Sequence, residues 1–573
     1  MTYVLGLGGP YHHDGSACLI DGTGQILAFT EEERFSRRKH NRDSRSCGAA
    51  AAYCLSVAGI DLRDVSSIAV AWNPWHPQPS AEITDPGLLR ELLPPRFFGE
   101  FTPASALIVD HHRAHAASAF FASGMDRATV IVADGHGDGR STSIHNGDRD
   151  RGLTEVWSAG PSQSLGWMYE SVAAHLGLGD WSSAGKLMGL ASYGSPSMDA
   201  AFLEDGIHKP YQIDVARLGL KPPDAEASAD DILRFYFDLQ HALSDHYTGM
   251  GVSRLTALRH YDPHSGEFVR AHEFDPAQLN LAASAQHWLE RALTALVRFA
   301  ISTTGVADVC YAGGVALNCA ANGTLRRQAL PGSLFVQPVA SDAGCALGAA
   351  YEAVLLQGGQ VSAAAMRTTA FGAEFTPGSV RRTLDATGTR YAEPPEGVAR
   401  RVAALIASGQ TVGWMQGRAE AGPRALGHRS ILGDPRVSAT RDFINRDVKK
   451  RELWRPLAPS ILDREAAETV QDAHRSDFMI EAFLASDRAK AGLPAVVHVD
   501  GTMRPQFVSS AVDPCFGELL EAVRDEIGIG AVLNTSFNGE DEPIVNTPIQ
   551  ALSMFHTSPL EALAIGPFLI TKN

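Results

Sequence analysis

Cysteine is scarce in this sequence and poorly placed for cross-linking. There are 7 residues, an odd number, scattered along 573 positions with no C-x-x-C pair. That argues against a disulfide framework and a structural zinc knuckle and points to a reducing compartment, with the cytoplasm as the expected location. Positive charge is short as well: 49 Lys and Arg face 65 Asp and Glu, a net charge of −16. Phosphate contacts along a nucleic acid need clustered Lys and Arg, so no nucleic-acid partner is expected. No apolar run is long enough to span a membrane, and residues 1–7 enter a strand without a basic leader. Neither a membrane partner nor a signal peptide is therefore expected. Two catalytic motifs are missing too. His111 and His115 have no Glu between them, which removes the metallopeptidase H-E-x-x-H. Gly185-Lys186 lacks the Walker spacing and Leu187 follows the Lys, which removes a P-loop. What remains is a chain that is 45% apolar, with 54 Gly, long enough for two or more domains with large cores. That composition fits a globular α/β enzyme.

The stretch that organises the chain runs from Val109 to Ala119. Residues 106–109 read as a strand and the Ala-rich run after it as a helix, on which His111 and His115, four apart, share a face. Asp134 closes a second apolar strand, 130–134. Two imidazoles and a carboxylate suit Fe(II) or Zn; the other reading is a helix that happens to carry histidines. Upstream, residues 4–9 read as a strand ending in a Gly turn that carries His13 and Asp14. Segments 17–20 and 26–30 around Asp21-Gly22 read as a hairpin. The run 31–40, taken alone, reads as a solvated charged face. Residues 44–58 read as a helix capped by Ser44 and stopped by Gly59, 67–72 as a strand, and the Pro-rich 72–79 and 94–95 as loops.

A weak repeat follows. Residues 130–134 again form a strand ending in a Gly-rich turn, 135–139, that leads into a hairpin. Two strand–turn–hairpin units suggest a duplicated, two-lobed fold holding a nucleotide, because the amides of such turns can bind anions. Residues 195–275, with little periodicity and many acids, read as an insertion with its own short helices; 276–304 reads as one long amphipathic helix. Strand 309–312 then meets Gly313-Gly314 and a helix start, where glycines admit a ligand close to the backbone. Asp342 reads either as a fourth metal ligand or nucleotide contact, or as the N-cap of a helix 343–356. Residues 358–377 read as a linker.

Beyond it the character changes. Strand 410–415 opens a Gly/Pro-bent loop with Arg418, Arg424 and Arg429; Lys449, Lys450, Arg451, Arg455 and Arg504 follow, and Asn534, Ser536 and Asn538 sit at a strand end. Guanidinium forks match phosphate and carboxylate oxygens, so this density in an acidic chain is an anion-clamp signal.

Taken in order, these motifs resemble the NodU/CmcH family of O-carbamoyltransferases: His13-Asp14, the 31–39 run, His111-His112-x-x-His115, Gly185 to Ala191, Gly313 to Asn318, 416–432, Val448-Lys449, Trp454 to Pro456 and Asn534 to Asn538. The resemblance runs nearly end to end; Trp181 to Ala184 departs from the acidic, Gly-rich lead-in of many members. It implies an α/β chain with an actin-like duplicated nucleotide-binding domain, 1–365, related to the threonylcarbamoyl-adenosine transferases, and a YrdC-like domain, 366–573. It implies that the second domain makes carbamoyladenylate from carbamoyl phosphate and ATP with Mg2+, and that the first passes the carbamoyl group to a hydroxyl. One iron, Fe(II) or a similar divalent metal, is implied at His111, His115, Asp134 and Asp342.

Within that frame Arg424, Lys449, Arg455, Asn534 and Ser536 are expected to hold carbamoyl phosphate. Gly166, Lys186, Gly313, Gly314, Asn318, Arg418 and Arg504 are expected at nucleotide. His13 is the expected general base, because a His titrates near neutrality; Asp14 orients it or acts instead, and Lys39 is counted with them. The expected partner is a small hydroxylated acceptor, a natural product chosen partly by the 195–275 insertion, with a homodimer as the assembly considered. Two rivals stay open: a sugar-kinase-like phosphotransferase, which would not need His111 and His115, and a non-catalytic nucleotide-binding protein.

Overall fold

A computed structural model describes residues 2–572 except 10–12, 72–80, 84–85, 102, 104, 206–209, 225–226, 256–259, 263–266, 270–273 and 363. It divides into two compact units. The first comprises Met1–Ala71, Ser80–Val109 and Ser341–Asn573; the second contains Asp110–Ala340. Residues 365 and 366 both fall in the first unit. The Pro-rich 72–79 stretch lies outside the described residues.

The first unit opens with β1 (Tyr3–Gly8), β2 (Ser16–Asp21) and β3 (Ile26–Glu31), joined as antiparallel neighbours, followed by β4 (Ser67–Ala71), β5 (Ala81–Glu82) and β6 (Ala106–Val109). The sheet order is β3-β2-β1-β4-β6-β5, with β1, β4 and β6 parallel. In the second unit β7 (Arg127–Gly137), β8 (Arg140–Asp148) and β9 (Gly152–Ala159) again run antiparallel, β10 (Val309–Ala312) again adds in parallel to the first strand of the meander, and β11 (Leu334–Val336) adds in parallel to β10. The order β9-β8-β7-β10-β11 therefore repeats β3-β2-β1-β4-β6, which is the duplicated topology of actin-like folds. Parallel strands need helical crossovers, and the helices show how the halves interlock in sequence. His111–Ser123, which follows β6, packs on β7 and β10; Cys345–Leu356, which follows β11, packs on β1 and β4.

The remaining sheet has seven strands: β12 (Val412–Met415), β13 (Arg429–Gly433), β14 (Ala458–Leu462), β15 (Gln506–Val508), β16 (Ala531–Ser536), β17 (Ala562–Ile565) and β18 (Phe568–Thr571), in the order β15-β14-β16-β13-β12-β17-β18. Helices Val398–Ala407 and Pro514–Ile527 share one apolar core with it; Pro377–Ala386 and Pro548–Thr557 share another. All seven cysteines are free thiols. No helix among the described residues is long and apolar enough to cross a membrane.

Several sequence expectations are corrected. The 31–40 run is not a solvated face: Glu31, Glu32 and Arg34 are buried. Glu32 accepts the N–H groups of Ala49 (3.2 Å) and Ala50 (2.7 Å), so the helix begins at Gly48 under a carboxylate from that run rather than under Ser44. Pro95 opens a single helical turn, Pro95–Phe98, since its fixed φ suits a first helical position. The longest described element of the insertion is one 21-residue helix, Ala229–Gly249, started by a Ser228/Asp231 capping box. Asp342 makes no side-chain cap; it opens the turn Asp342–Gly344 ahead of Cys345–Leu356. The 358–377 stretch is docked: Phe371 O accepts from Phe29 N–H at 3.3 Å, and Thr376 caps the next helix.

Candidate active site

In the second unit Asp110 caps the His111–Ser123 helix by accepting the Arg113 N–H at 2.9 Å, and Asp138 accepts the His111 N–H at 2.7 Å. These bonds fix the first helical turn, and His111 and His115 leave it on the same side with ring centroids 4.6 Å apart, edge to face. Both rings are buried. Asp134 Oδ2 lies 3.1 Å from His111 Nε2 and 3.8 Å from His115 Nε2, and Oδ1 accepts the Gly314 N–H at 2.8 Å. The strand bearing Asp134 runs on irregularly to Gly137 instead of ending at 134. Two glycines make this possible. A Cβ on Gly137 would stand 2.0 Å from His111 Cδ2, and Gly313, at φ +93, would place one 2.2 Å from Ala133 O.

Burial alone would raise the Asp134 pKa. The hydrogen bond to His111, the charges of His115 and His111, and the Gly314 amide overcome it and hold the carboxylate well below its usual range. One donor atom from each of His111, His115 and Asp134 lies within 4.8 Å of the others, a nitrogen–oxygen set that fits a borderline divalent metal. Asp342 belongs to the first unit.

The expected nucleotide contacts of this unit divide. Ser164 Oγ donates to Gly135 O at 2.7 Å, which brings Gly166 and its helix to the turn after Asp134, beside Gly313 and Gly314. Asn318 is occupied as the cap of Cys319–Gln328 and as a donor to Gln286 Oε1 at 3.0 Å, and Lys186 Nζ donates to Leu178 O at 3.0 Å. Sequence reasoning missed the buried chain behind the histidines: His112 Nδ1 to Ser143 Oγ and Ser143 Oγ to His145 Nε2, 2.9 Å each.

In the first unit the turn after β1 brings His13 and Asp14 together, with a member the sequence reading left in the charged run. Asp14 Oδ1 is 2.7 Å from His40 Nδ1, and Oδ2 is 3.7 Å from His13 Nδ1. The Asp14 N–H also donates to His40 O at 2.6 Å. Burial works to raise the Asp14 pKa, but the two imidazoles outweigh it and hold Asp14 ionised well below the usual carboxylate range. His13 Nδ1 lies 3.9 Å from Asp342 Oδ2.

The third cluster is cationic. A π-turn, Ile444–Val448, delivers Lys449, whose Nζ donates to Ser536 Oγ (3.0 Å), Asn538 Oδ1 (2.8 Å) and Ser536 O. Burial pushes the Lys449 pKa well down, and the positive charges of Arg451, Lys39 and Arg455 push it further. Burial likewise lowers Arg451 and Arg455, and each is also crowded by Arg504. Arg451 was counted in the basic density of the sequence but given no place at the site. Crowded, desolvated cations cost free energy unless an anion joins them. Arg424 sits in a loop shaped by buried Glu420, whose Oε1 accepts the N–H groups of Leu426 (2.7 Å), His428 (2.8 Å) and Arg429 (3.2 Å). Asn534 Nδ2 ties that loop to β16 through Ala425 O at 3.2 Å. Arg418 is occupied elsewhere: Nε donates to Gly372 O at 3.3 Å and Nη2 to the carbonyls of Leu27 and Phe371, so its guanidinium holds backbone rather than ligand.

Comparison with known proteins now decides the family. Residues 100–351 match the carbamoyltransferase N-terminus and residues 403–572 the carbamoyltransferase C-terminus. Nodulation protein NolNO of Sinorhizobium fredii is 35% identical over 99% of this chain and 80% of its own length. The chain belongs to the carbamoyltransferase family. Nodulation protein NolO of Bradyrhizobium diazoefficiens is 34% identical over 81% of the carbamoyltransferase chain and 79% of its own. The 3'-hydroxymethylcephem-O-carbamoyltransferase of Amycolatopsis lactamdurans is 33% identical over 41% of the chain and 43% of its own. The protein is thus an enzyme with O-carbamoyltransferases among its relatives. The C-terminal match contains Arg424, Lys449, Arg451, Arg455 and Arg504, and the N-terminal match contains His111, His115 and Asp134.

Proposed function

We propose that this carbamoyltransferase works in two steps at separate clusters. Carbamoyl phosphate and Mg2+-bound ATP meet at Arg424, Lys449, Arg451, Arg455, Arg504 and Ser536, on a YrdC-like C-terminal domain beginning near residue 366, together with Lys39; water splits carbamoyl phosphate into carbamate and phosphate, and a carbamate oxygen then attacks the α-phosphorus of ATP, giving carbamoyladenylate as pyrophosphate leaves. The observation that carries this reading is the mutual crowding of half-buried cations around the buried Lys449 in a chain of net charge −16. Positive charge held in place stabilises the charge that builds on a phosphoryl centre.

The acceptor hydroxyl then attacks the carbamoyl carbon, its proton passes to a base, and AMP leaves. His13 takes the proton, with Asp14, held ionised beside His13 and His40, keeping its imidazole in place. His111, His115 and Asp134 would hold iron or a similar divalent metal, which would supply Lewis acidity toward the adenylate phosphate. Gly166, Gly313 and Gly314 offer backbone next to Asp134 for the nucleotide. The acceptor is a small hydroxylated natural product, the medium is the cytoplasm, and neither nucleic acid nor membrane takes part.

The test is to incubate the protein with ATP and carbamoyl phosphate without acceptor and follow the products by mass spectrometry. Carbamoyladenylate with release of pyrophosphate is expected. Its absence, with phosphate appearing on an added alcohol instead, would replace this reading with the phosphotransferase one.

A further inference from the structure

The 31–40 run has a use that its solvated appearance in the sequence hides. Gly422 lies two residues before Arg424, at φ +95 and followed by Pro423. Both its backbone polar groups are taken by side chains from the end of β3 and the turn after it. The Gly422 N–H donates to Glu31 Oε1 at 2.6 Å, and Gly422 O accepts from Arg34 Nη2 at 2.7 Å. The same Arg34 nitrogen lies 3.2 Å from Glu31 Oε1, and both residues are buried. Three residues on, Arg37 donates Nη1 to Ile544 O (2.7 Å) and Nη2 to Pro543 O (2.8 Å), on the loop that leaves Ser536 and Asn538. Lys39 then acts on Lys449, and His40 binds Asp14.

We propose that the 31–40 run is a strap that sets the geometry of the anion site, with Arg34 and Arg37 as positioning residues for the loops bearing Arg424 and Ser536. This deepens the function proposed above, since the anion is taken to be carbamoyl phosphate. Glu420 shapes the Arg424 loop through its amides at 426, 428 and 429, but none of those bonds reaches Gly422, where the loop bends. A bend held only by its own backbone leaves a guanidinium fork free to swing. A fork must be fixed to within a fraction of an ångström to gain its bidentate advantage. Arg34 and Glu31 supply the missing hold, and because they grip both sides of one residue they fix its orientation as well as its place. The strap also makes the anion site depend on a segment far outside the matched C-terminal region.

Two measurements on the full-length protein test this. The first is carbamoyl phosphate binding by calorimetry for the parent, Arg34→Met, Arg424→Ala and the double variant. Loss of hydrogen bonds to a charged group predicts weakening of about tenfold or more for Arg34→Met, and no further loss when it is added to Arg424→Ala. Additive losses, or parent affinity in Arg34→Met, overturn the strap. The second is amide hydrogen exchange, which needs no ligand: Arg34→Met should speed exchange within 420–428 while β12 and β13 stay protected. Unchanged exchange in that loop overturns the strap, and faster exchange with a parent that binds no carbamoyl phosphate supports the strap and removes the function reading instead. Should Arg34→Met fail to fold, Arg37→Met, on the half-buried member, is read in the same way at residues 538–544.

Discussion

Gly137→Ala offers a sharp test of the metal proposal because the added methyl group is the whole perturbation. The new Cβ would stand 2.0 Å from His111 Cδ2, with the ring's Cγ at 2.6 Å and Nε2 at 2.7 Å. Carbon atoms in contact settle near ~3.5 Å, so the imidazole must retreat by about 1.5 Å or the strand must shift by as much. The ring has little room, since it is buried and starts at the first position of a capped helix. A retreat of that size takes Nε2 out of reach of Asp134 Oδ2, now 3.1 Å away. With one of three donors displaced, metal content should fall at least about tenfold, as it does when the groups that orient a ligand are lost. The assay is elemental analysis of purified parent and variant, with circular dichroism to show that the variant is folded. The C-terminal cation cluster lies in the other unit, so carbamoyladenylate formation should survive. A folded Gly137→Ala protein that keeps its full metal complement would refute His111 as a ligand.

The other predictions address the remaining clusters. Arg424→Ala or Arg455→Ala should abolish carbamoyladenylate formation and leave the metal bound, because each charged hydrogen bond to phosphate contributes about 1.5–3 kcal/mol; adenylate made at the parent rate would void the C-terminal assignment. His13→Ala should make adenylate normally and transfer it about 10²–10⁴-fold more slowly, the range of a placed general base; rapid-quench traces in which transfer keeps the parent rate would remove His13 from the mechanism. Burial pushes the Glu170 carboxyl from its usual 4.5 to about 7, with the Tyr236 hydroxyl as a partner. The folded state therefore keeps this proton where the unfolded chain has released it. Stability from this group is full below about pH 4.5 and is lost as pH rises through about 7, about 3 kcal/mol in all. Denaturant midpoints between pH 5 and 8 should fall less steeply in Glu170→Gln than in the parent; parallel curves would refute the shift.

The sequence carried most of the architecture because its signals were local. The hairpin at Asp21-Gly22, the strand Ala106–Val109, the 29-residue helix after Asp275 and the repeated strand–turn–hairpin unit all rest on periodicity or a cap within a few residues. The site was legible where spacing does the work, as with His111 and His115 on one helical face. It was not legible where partners lie far apart. Arg34 reads as surface charge until Gly422, 388 residues away, is placed beside it, and Arg37 until Ile544 is, 507 residues away. Arg418 fails in the opposite sense: it belongs to an Arg-rich loop, yet carbonyls at 27, 371 and 372 occupy it. Composition counts cations and cannot say which are already engaged. The same limit hid His40, which local pattern assigns to a charge run and the fold assigns to Asp14.

The charge arithmetic and the fold then meet at one point. A chain with 16 more acids than bases would spread its few cations thinly if solubility alone decided their places. Instead Lys449, Arg451, Arg455 and Arg504 crowd together, and desolvation with the neighbouring positive charges depresses the pKa values of Lys449, Arg451 and Arg455. Such a cluster is costly in the empty protein and favourable once a polyanion enters, so its differential stability is itself binding energy for that anion. The acids serve the same end, Glu420 by shaping the Arg424 loop and Glu31 by gripping its bend. Within the cluster Glu452 stands 3.6 Å from Arg455, Asn445 accepts from Arg451, and Ser536 and Asn538 hold Lys449, so an entering polyanion meets cations whose places are already set.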